Sequence, residues 1–207
     1  LEVQKHAQKG RDIILIGHKG HPEVIGTLGR HPSNSNTKIY LVENNDDIKK
    51  LEISSPEVAY VTQTTLSVDE TRELINSLKE KFPGIIGPSA DDICYATQNR
   101  QDAVKQLSLE CQIVLVIGSQ TSSNSNRLKE LAEKCGTKSF LIDDKTDIDL
   151  NSLKEATSVG ITAGASAPEE IVQEVISFLV PLGFKTVRNL SENNENMTFK
   201  LPKELTS

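Results

Sequence analysis

The sequence predicts an α/β protein built of two repeated small parallel-sheet domains. Short β-branched runs alternate with polar stretches of helical period, the pattern of parallel strands joined by crossover helices. The alternation occurs twice, in the same order. Polar residues that follow corresponding strands also fall at corresponding distances: 48 positions separate Gly17 from Thr65 and Gly118 from Ser166, and His21 and Ser122 each lie four past their glycine. Connection lengths cluster narrowly in such folds, so the matched polar positions carry more weight than the spacing alone.

In chain order, Leu1 to Gly10 reads as a helix, and its start at Leu1 without Met leads us to expect further sequence upstream. Strands are expected at Asp12–Gly17, Lys38–Glu43 and Val58–Gln63. Ser67-Val-Asp-Glu70 is a capping box that opens a helix running towards Phe82-Pro83-Gly84. A helix from about Thr97 to Leu107 precedes the second set of strands, Gln112–Gly118, Lys138–Asp143 and Ser158–Gly164. Gly136 would end the helix begun near Asn124. Ser166-Ala-Pro-Glu169 reads as another box with Pro168 in the first turn. Residues 191–196 read as a loop and 197–201 as a last strand. The expected division is 1–88 for one domain, 89–180 for its repeat and 181–207 for a C-terminal tail.

A formal net charge of −6 with no dense Lys/Arg block argues against a nucleic-acid binder, so an anionic ligand would have to be held locally. No apolar run approaches the roughly 20 residues of a membrane span, and the N-terminus lacks the order of a signal peptide; the chain reads as cytoplasmic. Cys94, Cys111 and Cys135 contain no C-x-x-C pair and are too few for a disulfide framework.

The polar clusters fall at strand ends, where ligands sit in parallel α/β sheets. Gly118 to Leu128 passes from strand to helix with five consecutive Ser or Asn residues, Ser122 to Asn126. Hydroxyls, amides and a helix N-terminus suit phosphate or diphosphate, whereas capping requires only one such residue. His21 and Glu23 flank Pro22 at a helix start. The imidazole could donate to phosphate and a water-screened carboxyl could release a proton, but a capping His and a first-turn Glu are the plain alternative. Cys94, just before a helix, suits metal ligation or nucleophilic work as well as it suits a small buried hydrophobe.

Four segments, Gly17-His-Lys-Gly-His-Pro-Glu-Val-Ile-Gly-Thr27, Asp91-Asp-Ile-Cys-Tyr-Ala-Thr-Gln-Asn-Arg-Gln101, Ser122-Ser-Asn-Ser-Asn-Arg-Leu128 and Gly164-Ala-Ser166, together resemble the 4-hydroxy-3-methylbut-2-enyl diphosphate reductase family of the methylerythritol phosphate route to isoprenoids. The resemblance covers essentially the whole chain, including the Leu201-Pro-Lys-Glu204 ending. It implies three related α/β domains around a central cavity, of which these would be the second and third. It also implies reductive removal of the substrate's hydroxyl by a [4Fe–4S] cluster held through three cysteines, with electrons from ferredoxin or flavodoxin. Products would be isopentenyl and dimethylallyl diphosphate, in a bacterial cytoplasm or a plastid stroma. Carried over by motif position, Cys94 corresponds to one cluster cysteine, Glu23 to the proton-delivering carboxyl and Thr64 to a hydroxyl of the same hydrogen-bond path. His21, Ser122, Ser123, Asn124 and Ser166 correspond to diphosphate and substrate contacts. The other two cluster cysteines and two further substrate histidines have no matching segment, so the chain alone is expected to be inactive. Two other classes fit part of the pattern: a redox-free module gripping a phosphorylated metabolite between its halves, and a zinc hydrolase using His18, His21, Glu23 and Cys94, which lacks a clear third histidine.

Overall fold

A computed structural model describes residues 2–88, 93 and 95–190. Cys94 and the loop and strand expected within 191–201 lie outside the described residues.

The first unit opens with α1 (Glu2–Gln8) and then alternates β1 (Asp12–Ile16), α2 (Pro22–Leu28), β2 (Ile39–Val42), α3 (Asn45–Lys50), β3 (Val58–Thr62) and α4 (Val68–Lys81). Its three strands are parallel in the order β2-β1-β3. The middle strand, Asp-Ile-Ile-Leu-Ile, is buried along its whole length because helices cover both faces. Ile13 and Leu15 pack with Val3, Ala7 and Val24 of α1 and α2, while Ile14 and Ile16 pack with Ile48, Leu74 and Leu78 of α3 and α4. The period-2 alternation of a strand thus divides one apolar run between two cores.

The second unit repeats the plan: α5 (Tyr95–Glu110), β4 (Ile113–Ile117), α6 (Ser123–Lys134), β5 (Lys138–Ile142), α7 (Leu150–Leu153), β6 (Val159–Ala163) and α8 (Glu169–Leu179). Its sheet is β5-β4-β6, again all parallel. Val114 and Val116 face Val104, Leu107, Leu128 and Ala132 of α5 and α6. Ile113, Leu115 and Ile117 face Leu153, Val175 and Leu179 of α7 and α8.

The correspondence reaches single hydrogen bonds. Gly17 N–H donates to Val42 O and Gly118 N–H to Ile142 O; Gln63 N–H donates to Ile16 O and Gly164 N–H to Ile117 O. Glu43 N–H donates to the Asp47 carboxylate, as Asp143 N–H does to that of Asp147. His21 and Ser122, four past their glycines, are the N-caps of α2 and α6.

All six expected strands are present, each within a residue or so of its expected ends. Ser67 caps α4 by accepting from Glu70 N–H, although the Glu70 carboxylate turns away to Lys134 rather than closing the box. Gly136, at φ +84°, follows the last turn of α6 in the left-handed conformation that glycine adopts without a Cβ clash. Two expectations need correction. The helix after Cys94 is longer than Thr97–Leu107, beginning at Tyr95 and ending at Glu110. Ser166 does not cap α8: Pro168 occupies the N-cap in extended backbone with no side-chain cap bond, and Ser166 stands two residues outside the helix. The proline lies at the boundary rather than in the first turn.

Candidate functional site

In a sheet of order 2-1-3 the chain leaves the middle strand towards one edge and returns on its other side, so the loops after the middle and third strands part and leave a crevice. Here that geometry occurs twice, after β1 and β3 and after β4 and β6. Residues 17–21, 63–67, 118–122 and 164–168 form these four loops, and every described residue expected in the site lies in them or in the first turn of a helix that follows.

The first unit supplies a carboxylate in a defined position. His21 Nδ1 accepts from Glu23 N–H at 3.2 Å, so the imidazole caps α2, as the plain reading of this pair anticipated. The Glu23 side chain, however, is committed elsewhere. Its Oε1 accepts the Thr64 backbone N–H at 2.9 Å, joining the ends of β1 and β3 across 41 residues of sequence. The link to Thr64 therefore runs through its amide, and its side chain lies exposed. Gln63, 1 % exposed, fixes both loops from below: its Oε1 accepts from His18 N–H at 3.1 Å and its Nε2 donates to Thr65 Oγ1 at 3.0 Å.

The second unit supplies a polar helix N-terminus pressed against its sheet. Ser122 Oγ caps α6, accepting from Ser125 N–H and from Ser125 Oγ. A Cβ at Gly118 would lie 2.3 Å, and one at Gly164 2.2 Å, from Ser125 Oγ, so a glycine directly after each of β4 and β6 lets this helix approach so closely. Asn126 Nδ2 donates to Gln120 O and Ser122 O, closing the turn. Asn124 differs from its neighbours. It is 7 % exposed, and its amide nitrogen and oxygen are both buried without a hydrogen-bond partner among the described residues. Buried polar groups are otherwise nearly always paired. This amide lies in the first turn of α6, where backbone N–H groups also lack helix acceptors, and it can both donate and accept.

The two units meet at this edge. Thr65 Oγ1 and Ser123 Oγ share a hydrogen bond of 3.0 Å. Arg127 on α6 donates to His18 Nε2 at 3.1 Å and pairs with Glu70 on α4, which also accepts from Lys134. The Lys134 hydrogen bond, more than the charge of Arg127, holds the Glu70 carboxyl below the usual carboxylate range. Between the units lies a cleft of about 580 Å³ lined by His18, His21 and Pro22 on one side and Ser123, Asn126 and Arg127 on the other. His21 and Ser123 thus share one cavity wall to wall. Ser166 lies exposed two residues past Gly164, on the same strand-end rim as Ser122 and Asn124.

Three residues of this arrangement were not singled out in the sequence. Gln63, Arg127 and Gln101 make contacts across 33 to 109 residues, which no local motif encodes. Gln101 carried one signal: it stands three and six positions before Val104 and Leu107, a polar residue on an otherwise apolar helical stripe.

An iron–sulfur cluster takes several thiolates, and among the described residues no three metal-ligating side chains come together. Cys111 is half-buried, with its thiol pushed up by that burial, and Cys135 is the exposed C-cap of α6. The described residues do not make a cluster site by themselves. Nor do they favour zinc, since the Nε2 of His18 faces the Arg127 guanidinium. No described helix is long and apolar enough to cross a membrane.

Comparison with known proteins agrees with this layout. Residues 1–180 match the family model described as LytB protein. The chain is 54% identical over 206 residues to the 4-hydroxy-3-methylbut-2-enyl diphosphate reductase of Saccharophagus degradans, covering 99% of this chain and 66% of that protein. It is 52% identical, with the same coverage, to the enzyme of that name from Alcanivorax borkumensis. Among solved structures, the E-1-hydroxy-2-methyl-but-2-enyl-4-diphosphate reductase of Plasmodium falciparum superposes with a TM-score of 0.88 at 37% identity, over 98% of this chain and 64% of that one. The chain spans about two thirds of the length of the curated relatives it matches. With its twofold 2-1-3 sheets and the match over residues 1–180, the chain belongs to the LytB protein family.

Proposed function

We propose that this chain forms the substrate-anchoring and proton-delivering part of a 4-hydroxy-3-methylbut-2-enyl diphosphate reductase, which removes the substrate's hydroxyl to give isopentenyl and dimethylallyl diphosphate. The observation that carries the reading is Asn124, a buried amide whose donor and acceptor are both unpaired among the described residues, at the mouth of α6. Around it stand Ser122, Ser123 and the Ser166 rim, small donors at a helix N-terminus whose dipole favours an anion. We assign these residues, with His21, to the diphosphate and the substrate chain.

Removing a hydroxyl as water consumes two electrons and two protons, so the site needs a positioned acid. We assign that role to Glu23, held against the Thr64 amide with its second oxygen free of that bond. Thr64 keeps the carboxyl in place through its backbone N–H, and we assign its exposed hydroxyl to the same hydrogen-bond path. The electrons belong, on this reading, to a [4Fe–4S] cluster to which the chain contributes Cys94, fed by ferredoxin or flavodoxin. A single cysteine cannot hold such a cluster, so the 207-residue chain is expected to turn nothing over unaided.

The test is Glu23→Gln in the full-length reductase. Turnover should fall by about 10²–10⁴-fold, the usual contribution of a general acid, while substrate affinity stays within a few-fold. Unchanged turnover removes Glu23 from the role. A redox-free binding module would explain the anion cradle but would stay colourless on anaerobic reconstitution with iron and sulfide, where the reductase should take up colour.

A further inference from the structure

Resting on the assignment of Glu23 as proton donor, we propose that Gln101 is a positioning residue: a buried amide that holds the Thr64–Thr65 loop, and through it Glu23, against the second unit. Gln101 lies on α5, the helix that begins at the residue following Cys94, and is 1 % exposed. Its Nε2 donates to Leu66 O at 2.8 Å and its Oε1 accepts from Val68 N–H at 3.0 Å. The amide therefore grips a carbonyl and an N–H two residues apart, as a neighbouring strand would, and fixes the orientation of the segment as well as its distance.

Both partners need it. Val68 N–H belongs to the first turn of α4, where no helix carbonyl can accept it, and the Ser67 hydroxyl is committed to Glu70 N–H. Leu66 is buried in the first unit's core, away from solvent that could replace the bond. In so buried a setting, leaving either group unpaired is costly.

The functional consequence comes from what lies upstream. Residues 63–67 are anchored at one end by their own sheet, through Gln63 N–H to Ile16 O and the Gln63 side chain to His18 and Thr65. They are anchored at the other end by Gln101, from the second unit. Thr64 lies between the two anchors, and its N–H is the group that orients Glu23. The ion pairs Asp69–Lys105 and Glu70–Arg127 run alongside, but their carboxylates are about half exposed and pairs of that kind contribute little. The Thr65–Ser123 hydroxyl bond adds a single part-buried link, and Gln101 is the buried, uncharged and two-pronged member of the seam.

Two substitutions separate this role from ordinary packing. Gln101→Met keeps the volume and removes both bonds. In the 207-residue chain the amides of Val68 and Thr64 should then lose hydrogen-exchange protection by about tenfold or more, while those of Ile14 and Leu15 in β1 keep theirs. Gln101→Glu offers a reversible version: the protonated carboxyl can donate to Leu66 O and accept from Val68 N–H as the amide does, and the carboxylate cannot. Its protection factors at Val68 and Thr64 should match the wild type at low pH and fall as pH rises. In the full-length reductase, Gln101→Met should lower kcat about 100-fold, the scale of a misplacement near 1 Å, with KM changed by less than threefold, and should cost nothing further in a Glu23→Gln background. Unaltered Thr64 protection in the Met variant, pH-independent protection in the Glu variant, or an additive loss in the double variant would each overturn the proposal. If Glu23→Gln alone leaves turnover whole, the proton-donor reading fails, while the exchange data still decide whether the clamp exists.

Discussion

Asn124 offers a perturbation whose effects on stability and on binding should run in opposite directions. Replacing it with Leu preserves the number of side-chain heavy atoms and removes an amide that is 7 % exposed and unpaired on both its nitrogen and its oxygen among the described residues. Burying an unpaired amide costs about 2 kcal/mol, the middle of the roughly 1–3 kcal/mol mutational range, and the two larger methyl groups return up to about 1 kcal/mol of that as overpacking, within the roughly 1.5 kcal/mol limit for near-isosteric swaps. The ligand-free 207-residue chain should therefore gain about 1–2 kcal/mol. With a urea slope near 2 kcal/mol/M, the unfolding midpoint should rise by about 0.5–1 M. Inorganic pyrophosphate is the probe for the second half. At about a hundredfold excess over its dissociation constant it should stabilise the wild type by about 2.7 kcal/mol, and it should leave the Asn124→Leu midpoint unmoved. A fall in midpoint without ligand, or equal protection of both proteins by pyrophosphate, would refute the reasoning, because the amide would then be serving the fold rather than a ligand.

The packing of α6 makes a second expectation. Gly164→Ala puts a Cβ 2.2 Å from Ser125 Oγ and should destabilise the chain by about 1–3 kcal/mol in urea titration, whereas adding Ser125→Ala leaves ordinary contacts, 3.5 Å to the Cβ of residue 125 and 3.7 Å to Asn124 Nδ2, and should recover most of the loss. Failure of the second substitution to recover stability would mean that the helix does not sit this close. The Glu70 carboxyl is held below its ordinary value of 4.5 by Lys134, so its contribution is present above that pH and is lost as pH falls through the depressed value. The gap in urea midpoint between wild type and Glu70→Gln should accordingly be open at pH 6 and close on acidification below about 4.5; a gap constant down to pH 3 would count against the Lys134 contact.

The strands were legible because β1 and β4 are buried on both faces and so read as unbroken apolar runs, Ile13–Ile16 and Ile113–Ile117. Loop positions of the site followed from strand ends and from local capping chemistry, which is why His21, Ser122 and Asn124 could be placed before their contacts were known. What stayed hidden was the seam. Gln63, Gln101 and Arg127 act over distances in sequence where no spacing rule applies, and their partners are partly backbone groups that any residue would offer. Ser166 was misread for a local reason: a proline two residues on takes the cap position itself, so the hydroxyl is left on the rim.

The mirrored scaffolding of the two halves has a consequence for how such a protein diversifies. Gly17 and Gly118, the carboxylates of Asp47 and Asp147, and the caps at 21 and 122 hold equivalent backbone in equivalent shape. The two caps serve the framework and the rim together, and the rims differ: an imidazole and a carboxylate occupy one mouth, hydroxyls and an amide the other. On the proposed reading, a doubled chassis lets the acid come from one copy and most of the anion contacts from its twin, and the bonds between the mouths, Thr65–Ser123 and Arg127–His18, make an exchange at one mouth felt at the other.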